Sequence, residues 1–277
     1  MSKPEGRVVL AKLSGELLAQ GNPGAQGWNV DAVNNVGHSI AEAYAVREEL
    51  GICGLTFIPG GGNIARGAVT REIFGGTADG NGRLATIQNT LAIAATLTRL
   101  KIPHVIMLAQ NMGLRDKSYS LEEYSAASAH KAHQVGKIVL IAGGTGEDNK
   151  TTDSAVVFYA KDYKTIFSGP VTIYKGTANV DGVCDKDPRK VGEGEEPAKL
   201  YMRVGADYML GDYVRFKIVD RQSLEQLADS DLSILVYRDG GALNLAEVMR
   251  RDPRFNKTSE PIGTVIVPRL AEPVFYE

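Results

Sequence analysis

Cysteine is scarce in this 277-residue chain: only Cys53 and Cys184 occur, far apart. A disulfide framework needs several pairs, so two free thiols in a reducing compartment are expected. Histidine is scarce too, with four copies. His104, His130 and His133 form no metal-ligand spacing with cysteine, and His130 and His133 read as residues on the side of a helix. Apolar runs never exceed strand length, which excludes a membrane-spanning helix. No basic start, apolar run and small-residue cleavage site open the sequence. An excess of either charge is missing as well. The 31 Lys+Arg against 33 Asp+Glu leave a net charge of −2, unlike a nucleic-acid or membrane surface. The expectation is a soluble, cytoplasmic protein with neither nucleic-acid nor membrane partners. Two familiar motifs are also absent. No G-x-G-x-x-G follows a strand, which argues against dinucleotide binding, and no G-x-S-x-G elbow marks a hydrolase.

What is present is enough apolar material for a sizeable core, 43% of residues. It falls into strand-like runs at Arg7–Leu13, Leu55–Pro59, His104–Leu108, Lys137–Ala142, Val171–Lys175, Leu232–Tyr237 and Thr264–Val267. Helical spacing fills the intervals. Val30–Leu50 carries Val33, Val36, Ile40, Ala43 and Tyr44 on one face, and Leu84–Leu100 carries Leu84, Ile87, Leu91, Ala94 and Ala95. Ser120-Leu121-Glu122-Glu123 reads as a capping box opening a helix that Gly136 closes. Strands alternating with helices predict an α/β fold with a mainly parallel sheet covered on both faces. Ligands of such sheets sit beyond the carboxyl ends of the strands.

Those ends are rich in glycine. The first strand runs into Lys12-Leu13-Ser14-Gly15, the second into Gly60-Gly61-Gly62-Asn63 with Arg66 beyond. Another ends in Gly143-Gly144-Thr145-Gly146 before Thr151-Thr152-Asp153, and the next in Lys175-Gly176-Thr177. A single glycine cluster means a tight turn. Several on one edge, beside Lys12, Arg66 and Lys150, favour polyanion binding: backbone N–H groups and helix N-termini attract phosphate, and cations cancel its charge. Gly144-Thr-Gly-Glu-Asp-Asn149-Lys150-Thr151 comes close to a P-loop, but asparagine stands where the consensus has glycine, and no Walker-B-type strand follows. Lys12, a compact charge at a strand end, and Arg66, a planar fork, are the first candidates for holding that anion.

Five stretches, in order, resemble the amino-acid kinase superfamily, and most of all its bacterial-type UMP kinases. They are Lys12-Leu-Ser-Gly-Glu16, Gly60-Gly-Gly-Asn-Ile-Ala-Arg-Gly67, Leu84-Ala-Thr-Ile-Gln-Asn89, Gly144-Thr-Gly146 with Thr151-Thr-Asp-Ser-Ala155, and Val180-Asp-Gly-Val183 with Asp187-Pro188. The resemblance runs from about Arg7 to Val267. It implies a three-layer α/β/α sandwich forming one domain over residues 1–277, with an acceptor part near 1–165 and an ATP part near 166–277. It implies transfer of the γ-phosphoryl of ATP to UMP, a place in pyrimidine biosynthesis, and a homo-oligomer, by resemblance a hexamer. Carried over by position, Gly61, Asp79, Thr145, Gly146, Thr151 and Thr152 hold UMP, Asp79 through the ribose hydroxyls. Lys12, Ser14, Gly15, Gly62 and Arg66 line the phosphates; Thr177, Cys184 and Asp187 border the adenosine. Asp153 and Asp220 orient the cations, and Lys12, Arg66, Asp153 and Asp220 form the catalytic set. Mg²⁺ is expected through ATP phosphates and water rather than dedicated ligands. The chain departs from the family at Glu147–Lys150, where Asn-Pro-Phe-Phe is usual, and at Cys184, where an aromatic is common. It also carries one extra residue, Ala178 or Asn179. Two other readings stay open: a non-catalytic nucleotide- or oxyanion-binding store of the same fold, and a kinase forming an acyl phosphate on a carboxylate or carbamate.

Overall fold

The computed structural model describes residues 6–22, 24, 26–109, 121–192, 195–216, 218–239, 244–256 and 260–276. The strands are β1 (Arg7–Leu13), β2 (Ile52–Pro59), β3 (His104–Leu108), β4 (Leu121–Glu123), β5 (Ile138–Ala142), β6 (Val171–Thr177), β7 (Tyr201–Gly205), β8 (Ile234–Arg238), β9 (Thr264–Val267) and β10 (Val274–Phe275). The helices are α1 (Val30–Val46), α2 (Gly67–Phe74), α3 (Ala78–Arg99), α4 (Ala126–Gln134), α5 (Thr152–Lys164), α6 (Ala206–Gly211), α7 (Arg221–Ala228) and α8 (Leu245–Arg251). All ten strands join one sheet in the order β10-β7-β9-β8-β6-β1-β2-β5-β3-β4. From β8 to β4 every neighbouring pair is parallel. Strand β9 reverses against β8, and β10 against β7.

Strand β1 lies in the middle because its sequence is apolar on both faces, as a strand covered by helices on each side must be. Val8 and Leu10 belong to a core with residues of α4, α5 and α7, among them Ala129, Val156 and Leu224. Val9, Ala11 and Leu13 belong to a second core with Ile40 of α1, Ile93 of α3 and Val248 of α8. The three-layer α/β/α arrangement is therefore the period-2 alternation of β1 turned outward in both directions.

The capping-box reading at Ser120–Glu123 is corrected. Ser120 lies outside the described residues, and Leu121–Glu123 pairs in parallel with Ile106–Leu108 as a short edge strand. The helix starts after Ser125, whose side chain accepts the N–H of Ser128, and Gly136 follows it with φ +74°. A Ser-x-x-Glu signature is only four residues long, and strand pairing overrides it here. Helix α3 begins at Ala78, six residues before Leu84, because Gly80 and Gly82 weaken a helical pattern without preventing the helix. Helix α1 ends at Val46, short of Leu50.

Candidate active site

The central strands β6, β1, β2 and β5 are neighbours, so their carboxyl ends bring four turns to one edge. Backbone meets backbone there. A Cβ on Gly15 would stand 2.6 Å from Asn63 Oδ1 and 2.7 Å from the Gly60 carbonyl, closer than real side chains approach. Asn89 of α3, fully buried, fixes the second turn. Its amide donates to the Gly60 carbonyl and to Asn63 Oδ1, both at 2.6 Å. Thr86 Oγ1 accepts the N–H of Gly143 at 2.9 Å, and the Tyr159 hydroxyl donates to the Gly144 carbonyl at 2.7 Å. The Leu84–Asn89 stretch thus braces two of the glycine turns from one helix.

At the point where these turns meet, three charges converge. Strands β1 and β6 pair in a register that sets Lys12 beside Lys175, so both lysines point to the α5 face. Asp153, on the first turn of α5, receives the Lys175 ammonium on Oδ2. Its Oδ1 is buried without a hydrogen bond and lies 3.5 Å from Lys12 Nζ. Burial alone would raise the Asp153 carboxyl. Lys175 and then Lys12 outweigh it and hold the group below the usual carboxylate range. Burial pushes Lys175 down to about 8, with Lys12 acting in the same direction and Asp153 opposing. The N-terminus of α5 carries a capping box: Thr151 Oγ1 accepts from Ser154 N–H and Ser154 Oγ accepts from Thr151 N–H. Thr151 also donates to Asp220 at 2.5 Å, and Asp220 caps α7 through Ser223. Two helix N-termini are joined side by side at the edge of the site, a favourable setting for anions.

Two clefts open on this edge. The smaller, of about 310 Å³, lies between α3 and the turn after β5; the larger, of about 1210 Å³, lies beyond β1 and β6. Of the residues expected to hold an acceptor nucleotide, Gly61, Asp79, Thr145, Thr151 and Thr152 line the smaller cleft. Gly146 closes the turn through its N–H to the Gly143 carbonyl instead. Gly62, expected on the phosphate side, lines the smaller cleft. Lys12, Ser14, Thr177, Cys184 and Asp187 line the larger one.

Several expected residues are already engaged. Arg66 pairs with Glu16 at 3.0 Å, bridging the first two turns. Asp79 Oδ2 accepts the N–H of Asn149 at 2.7 Å, and Asn149 takes the left-handed conformation at φ +57°. Among the described residues Asp220 engages Thr151 and Ser223 rather than an ion pair of its own, although its charge is felt by Lys175. Thr177 Oγ1 donates to the Val180 carbonyl at 2.5 Å and so shapes the turn that holds the extra residue. The Cys184 thiol is pushed up, first by burial and then by Asp185, Asp181 and Asp187, so it stays neutral. His130 and His133 sit on α4, away from both clefts, and share the Tyr163 hydroxyl at 2.9 Å each.

Three cations escaped the sequence reading. Arg71 and Arg83 line the smaller cleft, and Arg83 pairs with Asp148 at 2.6 Å. Lys175 stands beside Lys12. The signal for Lys175 was a charged residue inside an otherwise apolar strand, Val-Thr-Ile-Tyr-Lys-Gly-Thr, which a covered strand tolerates only when the charge is paired.

An edge of glycine turns and helix N-termini, with lysines set around one buried carboxylate, defines a phosphate-handling α/β protein. The profile of the amino acid kinase family matches residues 7–211, and the chain belongs to that family. It is similar to the uridylate kinase of Agrobacterium fabrum, 38% identical over 193 residues that cover 68% of this chain and 72% of that one. It is also similar to the uridylate kinase of a Chelativorans species, 31% identical over 251 residues, 89% and 91% of the two chains. Among solved structures, the UMP kinase of Bacillus anthracis superposes with a TM-score of 0.75 at 24% identity, covering 99% of this chain and 100% of that one. The UMP kinase of Ureaplasma parvum gives 0.76 at 22%, covering 96% and 100%. These two structures establish the fold.

Proposed function

We propose that this protein transfers the γ-phosphoryl group of ATP to UMP, giving UDP and ADP. The observation that carries this reading is the pair of clefts on one edge of the sheet: the smaller is lined by Thr151 and Thr152 at the start of α5, and the larger by Lys12 and Lys175, the two lysines that meet Asp153 of the same helix. Similarity to named uridylate kinases over most of the chain supports the choice of UMP. In this reading ATP occupies the larger cleft, with its phosphates toward Lys12, Ser14 and Gly15 and its adenosine toward Thr177, Cys184 and Asp187. UMP occupies the smaller cleft between Asp79, Gly61 and the turn from Thr145 to Thr152. Arg66, paired with Glu16 beside the first two turns, would reach the phosphates from there.

The acceptor phosphate is an anionic oxygen nucleophile near neutral pH, so the reaction needs no strong base. Its obstacles are repulsion between two polyanions and the charge that builds on the transferring group. Lys12 answers the second, as a preorganised cation at a rigid strand end. Asp153 orients it, and Asp220 holds the N-terminus of α5 in place. The glycine turns let N–H groups approach the phosphates closely. Among the described residues no three acidic, histidine or cysteine side chains converge on one point. The wall of the larger cleft offers Glu16, Asp181 and Asp187 singly. That set suits a magnesium ion that keeps its waters and rides on the ATP phosphates, where it would cancel charge.

The protein is taken to be a single cytoplasmic domain that assembles with copies of itself, by family resemblance into a hexamer. Ile73 and Phe74 of α2 and Leu84 of α3, all exposed, support a packing surface. No helix among the described residues is long and apolar enough to cross a membrane. The test is ADP release from MgATP with UMP, CMP, AMP, carbamate and acetylglutamate in turn. Turnover with UMP well above the others is expected. Turnover on carbamate or acetylglutamate would replace this reading with an acyl-phosphate kinase, and nucleotide binding without any turnover would make the protein a store.

A further inference from the structure

We propose that Lys175 is a positioning residue for the phosphoryl transfer: it neutralises Asp153, and so leaves Lys12 free to meet the transferring phosphate. This rests on the reading of the two clefts as a phosphotransferase site. The two lysines are neighbours in strand register but divide the carboxylate unequally. Lys175 is in direct contact with Oδ2, whereas Lys12 stands 3.5 Å from Oδ1, an oxygen left without a hydrogen bond. Their exposures differ in the same sense, 7% of the Lys175 side chain against 14% of Lys12. Both line the larger cleft; the more buried lysine holds the acid, and the more open one reaches it only at longer range.

A buried carboxylate must be paired. Among the described residues, two lysines supply its positive charge. Lys12 comes from β1, Asp153 from α5 and Asp220 from the start of α7, while β8 presents Val236 beside Lys175. Without Lys175, the cation left beside Asp153 among the described residues is Lys12. An ammonium drawn onto Oδ1 is then withheld from the phosphate, although its residue is still present. Asp153 therefore serves the reaction only while a second lysine satisfies it. The downward push on Lys175, to about 8, adds a consequence: once Lys175 loses its proton, Asp153 turns to Lys12.

The test is a set of variants at this triad, assayed with UMP and MgATP after turnover by the unaltered protein has been established. Lys175→Met is expected to lower kcat on the order of a hundredfold, the size of losing one charge contact to the transition state, with a much smaller change in KM for MgATP. Removing the acid as well is the decisive step. Asp153→Asn/Lys175→Met is expected to recover much of that loss, because Lys12 is released. Lys175→Arg keeps Asp153 paired by a group that does not titrate near neutrality. It is expected to retain activity and to move the alkaline fall of kcat/KM from near pH 8 to higher pH. A double variant no more active than Lys175→Met, or an arginine variant with an unshifted limb, overturns the proposal. Should Lys175→Met fail to fold, the double and arginine variants remain, and each outcome still decides. A crystal structure of Lys175→Met supplies a readout without turnover: Lys12 Nζ is expected within hydrogen-bond distance of Asp153 Oδ1, and an unmoved Lys12 also overturns the proposal. That movement in a protein that turns over no substrate would instead overturn the phosphotransferase reading alone.

Discussion

The larger and smaller clefts hold their charges by different means. In the larger, Lys12 and Lys175 project from paired, buried strands, and their partner Asp153 is fixed by a helix whose N-terminus is capped twice over. In the smaller, the cations meet carboxylates on an exposed turn. Arg83 reaches Asp148, and Lys150 lies 3.8 Å from Glu147, the two acids being 65% and 68% exposed. Exposed pairs of that kind contribute about 0–1 kcal/mol, whereas breaking a buried pair costs roughly 3–5. In the proposed function the difference separates two tasks. The charges assigned to the transferring group sit on elements that cannot move without disturbing the core. The side assigned to the acceptor rests on a short turn, residues 147–150.

The comparison is sharpened most by Lys12→Ala. Its kcat is expected to fall roughly a hundredfold with a smaller change in nucleotide KM, since the contact belongs to the transition state. Steady-state kinetics at saturating UMP and MgATP measure it, and a near-normal kcat would remove the larger cleft from the chemistry.

Acid stability comes next. His133 of α4 is buried against Thr56 and Tyr163 on the half of the sheet that carries the smaller cleft. Burial pushes it down to about 4; a backbone hydrogen bond at Leu55 opposes this and the charge of His130 adds to it. The unfolded chain then binds the proton between pH 6.5 and about 4 while the folded chain does not, so stability falls as pH falls through that window. The loss amounts to about 3 kcal/mol across the window. Urea unfolding measured from pH 7 to 4 should show it, and His133→Gln should flatten the slope. If only one half of the molecule unfolds in acid, the single-domain reading fails.

Asp79→Asn has a smaller expected effect, confined to one nucleotide. A hydrogen bond to a carboxylate is stronger than one to an amide by about 1 kcal/mol, so KM for UMP should rise roughly fivefold. KM for ATP should stay where it is. Equal changes in both would dissolve the division between the clefts.

Much of this layout could be read from residues alone, and the reasons it could not be read completely are physical. Strand β1 spans the residues its apolar run suggested, because a strand covered on both faces is apolar through its middle, Val8–Ala11, and its two charges fall near the ends. The glycine turns at 15 and 61 were visible for the same reason that they are needed, close approach, and the one at 143 for its left-handed backbone, φ +90°. Lys175 was passed over because its meaning lies in register: only the pairing of β1 with β6 sets it beside Lys12, 163 residues earlier in the chain. The pairs Arg66–Glu16 and Arg83–Asp148 are equally non-local. Short edge strands such as β4 and β10 carry too few residues to show a period. Asp79 and Asp153 both stood out in the sequence, but nothing local could tell that a backbone N–H would engage the first and two lysines the second.

Lys150→Ala is the least of these perturbations and the sharpest probe of the smaller cleft. Lys150 stands where the resemblance to the UMP kinases implies an apolar residue, and its side chain, a quarter exposed, lines the cleft beside Arg83. Its ion pair with Glu147 is long, and Glu147 faces solvent, so the pair restrains it little. A lysine with a loose partner can turn toward the phosphate of an incoming nucleotide. The contact would be solvent-screened, which caps its worth below about 1 kcal/mol and the rise in KM for UMP at roughly threefold. It would also fade as salt shortens the reach of exposed charges, to about 10 Å at 0.1 M and about 3 Å at 1 M. KM for UMP measured for both proteins across that range decides the matter. A twofold to threefold gap at low salt that closes at high salt assigns Lys150 to the acceptor, whereas identical curves leave it as a surface partner of Glu147.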